Sequence, residues 1–358
     1  MKKIFLASII AFLGMNAFSQ TEVGIYQPGV TENGITYFLP KTGLHLTVTA
    51  TRTTHTPGEY CRYAERYLRL KNVPQQTYDT WSIESIEITP FGEADKTKAY
   101  SIKLKSKTSA PLVSLAPDGR LLAVNSKAQP LPALSIPKVT KIKTDYPNPQ
   151  DYKTEEILSA GSTSKMAELT ANEIYDIREN RSMLTKGQAD YMPKDGEQLK
   201  LMLSKLDLQE EALLMLFKGT ESQEKHVFTL NYVPDAPIGK GIIFRFSKYF
   251  GLVPSDDLSG EPIYISIENL HSLPDEASAT ENKDKKKEIE DLRYIVPGKG
   301  LVKIFNATRT FSSMEIPMSQ FGRVEHLGGE LFNKKSTTHV LISPETGGIL
   351  KIDADNHD

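Results

Sequence analysis

The chain has 358 residues, 43 basic against 45 acidic side chains for a formal net charge of −2, a single cysteine and a single tryptophan. Such an even balance gives no electrostatic reason to expect nucleic acid or anionic lipid as a partner. The lone cysteine, Cys61, excludes an internal disulfide, so stability has to come from buried cores, and the length is that of about two domains.

The first nineteen residues have the three-part layout of a cleavable export signal: Lys2 and Lys3, an apolar run from Ile4 to Met15, then Ala17 and Ser19 as a small-x-small site before Gln20. The run is twelve residues long, whereas a helix needs about 20 to cross a bilayer. No cysteine stands at the cleavage point to carry a lipid, so no stable membrane anchor is expected. Cleavage near Ser19/Gln20 removes two lysines, leaving 339 residues with 41 basic and 45 acidic groups. The expected product is soluble, in the periplasm or outside the cell.

Residues 20–128 read as a β-rich domain with one helix. Asn33-Gly34 supplies the positive φ angles of a tight turn, and strands over Ile35 to Leu39 and His45 to Thr54 flank or follow it. In the second strand Leu46, Val48 and Ala50 alternate with Thr47, Thr49 and Thr51, the period of a strand buried on one face. Further strands are expected at Trp81 to Thr89 and Tyr100 to Lys105, and a hairpin over Leu112 to Val124 turns at Pro117-Asp118-Gly119. The helix is expected from Thr56 to about Leu70, because Thr56 and Glu59 have capping-box spacing and Pro57 sits at its first position. Cys61, Ala64 and Leu68 share its apolar face, beside a stripe of Tyr60, Tyr63 and Tyr67.

Residues 129–150 hold five prolines, which suppress helix and confine any strand to an edge, so this is a linker or an extended strap. A helical segment follows over 151–220, with about three short helices: Lys165 to Leu184, Gly196 to Leu206, and a third capped by Asp207 that ends at Gly219. Residues 221–358 form a second β-rich domain, with strands at His226 to Val233, Gly241 to Phe250, Pro262 to Leu270 and Leu301 to Phe311. A hairpin from His339 to Ile352 closes the chain and turns near Thr346-Gly347-Gly348. The charged stretch from Pro274 to Lys287 reads as a mobile loop. The fold class is therefore α+β, with two β-rich, sandwich-like modules and a helical segment between them. Each module ends in a similar hairpin, Val113 to Gly119 and Val340 to Gly347, which convergent turn chemistry explains about as well as duplication.

No motif for catalysis, cofactor or metal emerges. The seven histidines are dispersed, and Asp353, Asp355 and Asp358 lack the glycine and glutamate of a calcium loop. Ser-x-x-Lys occurs three times, at Ser135, Ser162 and Ser222, and Ser162 beside Lys165 reads as a helix start with Ser164 as the cap. Cys61 reads as a buried small hydrophobe, and Glu173 with Asp176 as a solvated charged face. Gly239-Lys240-Gly241 and Gly298-Lys299-Gly300 read as turns. Tyr60, Tyr63 and Tyr67 are the candidate ligand-binding residues, since exposed rings can stack on sugars or anchor a partner, although rings that border the core and close the helix onto the sheet are the simpler reading.

The segments GVTENGITYFLPKTGLHLTVT, HTPGEYCRYAERYLRL, MAELTANEIYDIREN, DGEQLKLMLSKLDLQEEALLMLF, YIVPGKG and ISPETGG resemble a family of uncharacterised secreted proteins of Gram-negative bacteria, classed only as a domain of unknown function. The resemblance spans nearly the whole mature chain and implies no activity and no catalytic residue. The expected function is that of a soluble exported binding or interaction protein of the cell envelope, whose partner is an envelope protein or a glycan. The alternatives are an exported hydrolase of glycan or peptide, with a carboxylate site assembled from distant residues, and an assembly component of a surface complex.

Overall fold

The computed structural model describes residues 22–25, 34–103, 113–274, 292–328 and 336–356. Residues 1–19, for which an export signal is expected, Asn33 and the stretch from 275 to 287 lie outside them. The fold is α+β: three antiparallel sheets, with helices between the β-rich parts of the chain.

The N-terminal strands are fewer and longer than the sequence suggests. One strand, β2 (Gly34–Thr56), replaces the two expected there, and β3 (Tyr78–Lys103) likewise runs unbroken. Their ladder holds from Gly34↔Lys103 to His55↔Tyr78, bending at bulges between Phe38 and Leu39 and between Thr49 and Ala50. Pro40 does not break it, because β7 (Thr220–Tyr232) joins the other side of β2 only from Leu44 onward; a proline is tolerated where one side of a strand is unpaired. The short β1 (Glu22–Ile25) pairs with β3 and not with β2, so the segments around Asn33-Gly34 are not hairpin neighbours.

β1, β3, β2, β7 and the edge strand β6 (Lys138–Ile142) form the first sheet, so the proline-rich segment does contribute a strand at an edge. The second sheet contains β8 (Ile238–Ser247), β9 (Gly251–Val253), β10 (Glu261–Asn269), β11 (Leu292–Phe305) and β12 (Thr310–Leu327). The strand expected over Leu301 to Phe311 is in fact two. Asn306 turns the chain by accepting the N–H groups of Thr308 and Arg309 at 3.0 and 2.7 Å. The alternating Leu44, Leu46 and Val48 of β2 meet Phe244, Ile263, Ile265, Val302 and Ile304 of the second sheet in a sandwich core.

The hairpins β4 (Val113–Leu115) with β5 (Leu121–Val124) and β13 (Ser336–Ile342) with β14 (Ile349–Asn356) join in a third sheet. They enclose a second core with Tyr37, Leu39, Ile102, Leu292 and Ile295. Their likeness reaches beyond turn chemistry. Tyr37-Phe38-Leu39-Pro40 with Gly43-Leu44 recurs as Tyr294-Ile295-Val296-Pro297 with Gly300-Leu301. Phe38 N–H donates to the Gly119 carbonyl at 2.9 Å, and Ile295 N–H donates to the Gly347 carbonyl at 2.9 Å. Turn chemistry requires neither match, so the two β-rich parts carry copies of one motif: a long bent hairpin pinned by a short one. Thr42 locks the copies together, its N–H donating to Ser319 Oγ at 2.9 Å and its hydroxyl to the Glu345 carbonyl at 3.0 Å.

Two long helices, α3 (Thr163–Lys186) and α4 (Gly196–Lys218), follow α1 (Ala64–Leu68) and α2 (Glu155–Ser159). Thr56 stays in β2, opposite Thr220, and so cannot cap a helix; α1 starts later, after one 3-10 turn. α4 passes unbroken through Asp207, which pairs with Arg181 at 2.8 Å, while Asp195 supplies the cap by accepting Gln198 N–H at 2.7 Å. Ser162, not Ser164, caps α3. Tyr60, Ala64, Ile174, Ile177, Leu213 and Phe217 are the centre of the helical core.

Candidate functional site

The tyrosine stripe faces the helices rather than a sheet. Tyr60 is fully buried, its ring 5.6 Å from Phe217, and Tyr63 and Tyr67 are half-buried against the same core. Tyr67 Oη is 3.2 Å from Ser164 Oγ, and Tyr175 donates to the Tyr67 carbonyl at 2.9 Å. Tyr60 has no surface left for a ligand. Cys61, expected to be buried, is half-exposed, because the late start of α1 rotates it off the apolar face. Lys165 pairs with Glu168 at 3.1 Å, and the Ser162 hydroxyl is occupied by the cap. Glu173 is half-buried and accepts from Gln209 at 3.2 Å; partial burial, then the neighbouring Asp176, push its carboxyl above the usual range.

Two concavities adjoin the sheets. The larger, about 630 Å³, lies where Tyr294 to Pro297 meets the turn from Ser343 to Gly348, with Pro90, Pro132 and Pro317 as further walls. Its polar groups serve their own turn: the Ser343 hydroxyl donates to Glu345 Oε2 at 2.8 Å, and Thr346 N–H donates to Ser343 Oγ. It reads as the seam between the two copies of the motif.

The second, about 460 Å³, opens at the mouth of the sandwich and has different chemistry. Along the inner face of the first sheet the core changes character: Val48 stands opposite Phe228, Ala50 opposite His226, and Arg52 opposite both Glu224 and Trp81. Arg52 Nη2 donates to Asp79 Oδ2 at 2.6 Å, its Nη1 lies 3.7 Å from Glu224, and Thr54 donates to Asp79 at 2.6 Å. Arg52 and then Thr54 hold the Asp79 carboxyl below its ordinary range.

Trp81 stands over this cluster and is fixed from both sheets. Its backbone N–H donates to the Lys248 carbonyl at 2.7 Å, and its ring is 4.6 Å from that of His226. Gly251, at φ +74, packs on the indole so closely that a Cβ would come within 3.0 Å of it. Beside the ring, Arg52 Nε is buried without a hydrogen-bond partner, and the buried His226 Nε2 has only the Glu224 carboxylate, 3.5 Å away. Buried polar atoms in that state are uncommon. Phe246, Tyr249, Phe311, Asn306 and Thr308 line the cleft too, with Lys248, Arg309 and Glu261 as its charged members. Tyr249 and the adjoining Phe250 are 62 % and 68 % exposed, a display of aromatic surface that core packing does not explain.

Asp79 and Glu84, which do not line the cleft, are both held below the carboxylate range, Asp79 by Arg52 and then Thr54, Glu84 by Lys225 and then Thr51, so neither is a protonated acid at neutral pH. Nothing in the residue pattern marked this site. The one available signal was that the sole tryptophan heads a strand, while Tyr249-Phe250 precedes a glycine in a turn.

Fold and site together define an α+β protein with a cleft lined by aromatic side chains. The chain belongs to the family described as a domain of unknown function, DUF4831, whose model matches residues 33–350. No curated protein and no solved structure matches it.

Proposed function

We propose that this chain is an exported, soluble binding protein of the Gram-negative cell envelope, and that the Trp81 cleft takes a saccharide. The layout of residues 1–19 supports export, and among the described residues no helix is long and apolar enough to cross a membrane.

The observation that carries the reading is the immobilised Trp81 beside exposed Tyr249, with amide and hydroxyl groups around them. Sugar rings have an apolar face that packs on aromatic rings and hydroxyls that need donors and acceptors; a mixed lining answers both. The volume falls within the range of about 300–1,000 Å³ typical of small-molecule sites.

Because Trp81 is the only tryptophan, its fluorescence reports on the cleft alone. Titration with neutral and acidic mono- and disaccharides is expected to give a saturable change, weakened by Tyr249→Ala. A spectrum that no saccharide alters would sink the reading. Export is checked separately, by N-terminal sequencing of the protein recovered from the periplasm or medium, which should begin at Gln20.

A further inference from the structure

We infer that the ligand of this cleft is an anionic saccharide, read by Lys248 and Arg309. The inference rests on the saccharide reading and adds the charge of the ligand to it.

The argument is an accounting of ion pairs at the mouth of the sandwich. Of the acids that adjoin it, Asp79 is taken by Arg52 at 2.6 Å, Glu224 lies 3.7 Å from the same guanidinium, and Glu84 is taken by Lys225 at 2.8 Å. Glu261 is the one acid that lines the cleft itself. Lys248 and Arg309 line it too, and among the described residues neither has an ion-pair partner. The lining therefore carries two cations against one acid.

The Arg309 guanidinium is held in place although no acid holds it, while Lys248 is fixed through its backbone. The Lys248 carbonyl accepts the Trp81 backbone N–H, which places the lysine next to the residue that carries the indole. Arg309 is fixed at three points: its backbone N–H donates to Asn306 Oδ1 at 2.7 Å, its guanidinium lies 4.9 Å from the centre of the Phe311 ring, and Nη2 donates to the Glu84 carbonyl at 3.2 Å. A planar guanidinium presents five N–H donors in a fork that matches a carboxylate, so one hydrogen bond to a carbonyl leaves most of its capacity open. Placed beside aromatic side chains, such a pair of cations fits a sugar ring that bears a carboxylate: the ring packs on exposed Tyr249 next to Trp81 while the acid meets Arg309 and Lys248.

Matched probes separate charge from sugar. Trp81 fluorescence is titrated with N-acetylmuramic, galacturonic and glucuronic acids and with their neutral counterparts N-acetylglucosamine, galactose and glucose. At least one acid should bind roughly tenfold or more tightly than its counterpart, the gain expected of a charge-assisted hydrogen bond. Arg309→Ala and Lys248→Ala should bring the acid down to the neutral sugar's affinity, and Tyr249→Ala should weaken both. All three side chains are exposed, so an unchanged melting temperature verifies the fold of each variant. Equal binding of acid and neutral partner, or acid affinity untouched in both cation variants, overturns the anionic reading and leaves the saccharide reading standing. No response to any of the six sugars overturns both.

Discussion

The Tyr37 hydroxyl bridges the backbone of Arg293, accepting its N–H at 3.0 Å and donating to its carbonyl at 3.3 Å. Tyr37 opens the first copy of the repeated motif, and Arg293 immediately precedes Tyr294, which opens the second. The contact lies in the core that both copies share, and burial drives the phenol pKa far above its ordinary value. Tyr37→Phe keeps the packing but removes that partner from both backbone groups, so it should cost about 1–3 kcal/mol. Tyr294→Phe, at the partly exposed counterpart, should stay within about 0.5 kcal/mol. Urea unfolding of the two variants compares them directly.

Glu210 anchors α4 to α3, accepting Arg178 Nε at 2.7 Å and a further hydrogen bond from Arg181. Burial alone would raise its carboxyl pKa; the two guanidiniums override this and hold it below the usual range. With the folded value depressed, the stabilisation is fully present above the unfolded pKa of about 4.3 and is lost as pH falls through the folded one. Glu210→Gln should therefore lower stability by about 1–2 kcal/mol at neutral pH. The gap from wild type should close on acidification, as followed by thermal melting from pH 7 downward.

Gly219 ends α4 at φ +82, where a Cβ would sit 2.1 Å from the Thr56 carbonyl oxygen. Backbone, not a movable side chain, occupies that space. Gly219→Ala therefore combines an unfavourable φ with a clash and should cost more than about 1 kcal/mol. Gly187→Ala has a positive φ without a neighbour within 4 Å and should cost less. Thermal melts rank the pair.

Asp195 and Asp207 give opposite expectations from the same residue type. Asp195 caps α4, so Asp195→Ala should cost about 1 kcal/mol. Asp207 lies inside α4 with its exposed carboxylate paired to Arg181 of α3, so Asp207→Ala should change stability by less than about 0.5 kcal/mol and leave helicity intact. Circular dichroism with urea titration reads both.

These contrasts show what was legible in the sequence. The period-two pattern of Leu46, Val48 and Ala50 placed a buried strand face correctly, and Pro117-Asp118-Gly119 placed a hairpin correctly, because both signals are local. Asp207 misled because a capping residue inside a helix looks the same as one at its start; only its partner Arg181, on another helix, decides. Thr56 misled similarly, since pairing with Thr220, far along the chain, keeps it in a strand. The cleft was illegible for the same reason. Trp81, Tyr249 and Arg309 come from separate segments and meet only once the two sheets have stacked, and aromatic spacing pointed instead to Tyr60, Tyr63 and Tyr67, which the helices α3 and α4 cover.

The most direct test of the saccharide site is a two-dimensional ¹H–¹⁵N NMR titration with the sugars named above. The chain holds one tryptophan, so a single indole N–H resonance reports on Trp81. Saccharide addition should shift that resonance together with the backbone amides of Lys248–Gly251 and Asn306–Arg309, leaving α3 and α4 unmoved. Shifts confined to the Tyr294–Pro297 and Ser343–Gly348 seam, or to Tyr63 and Tyr67, with the indole peak stationary, would contradict the assignment of the cleft.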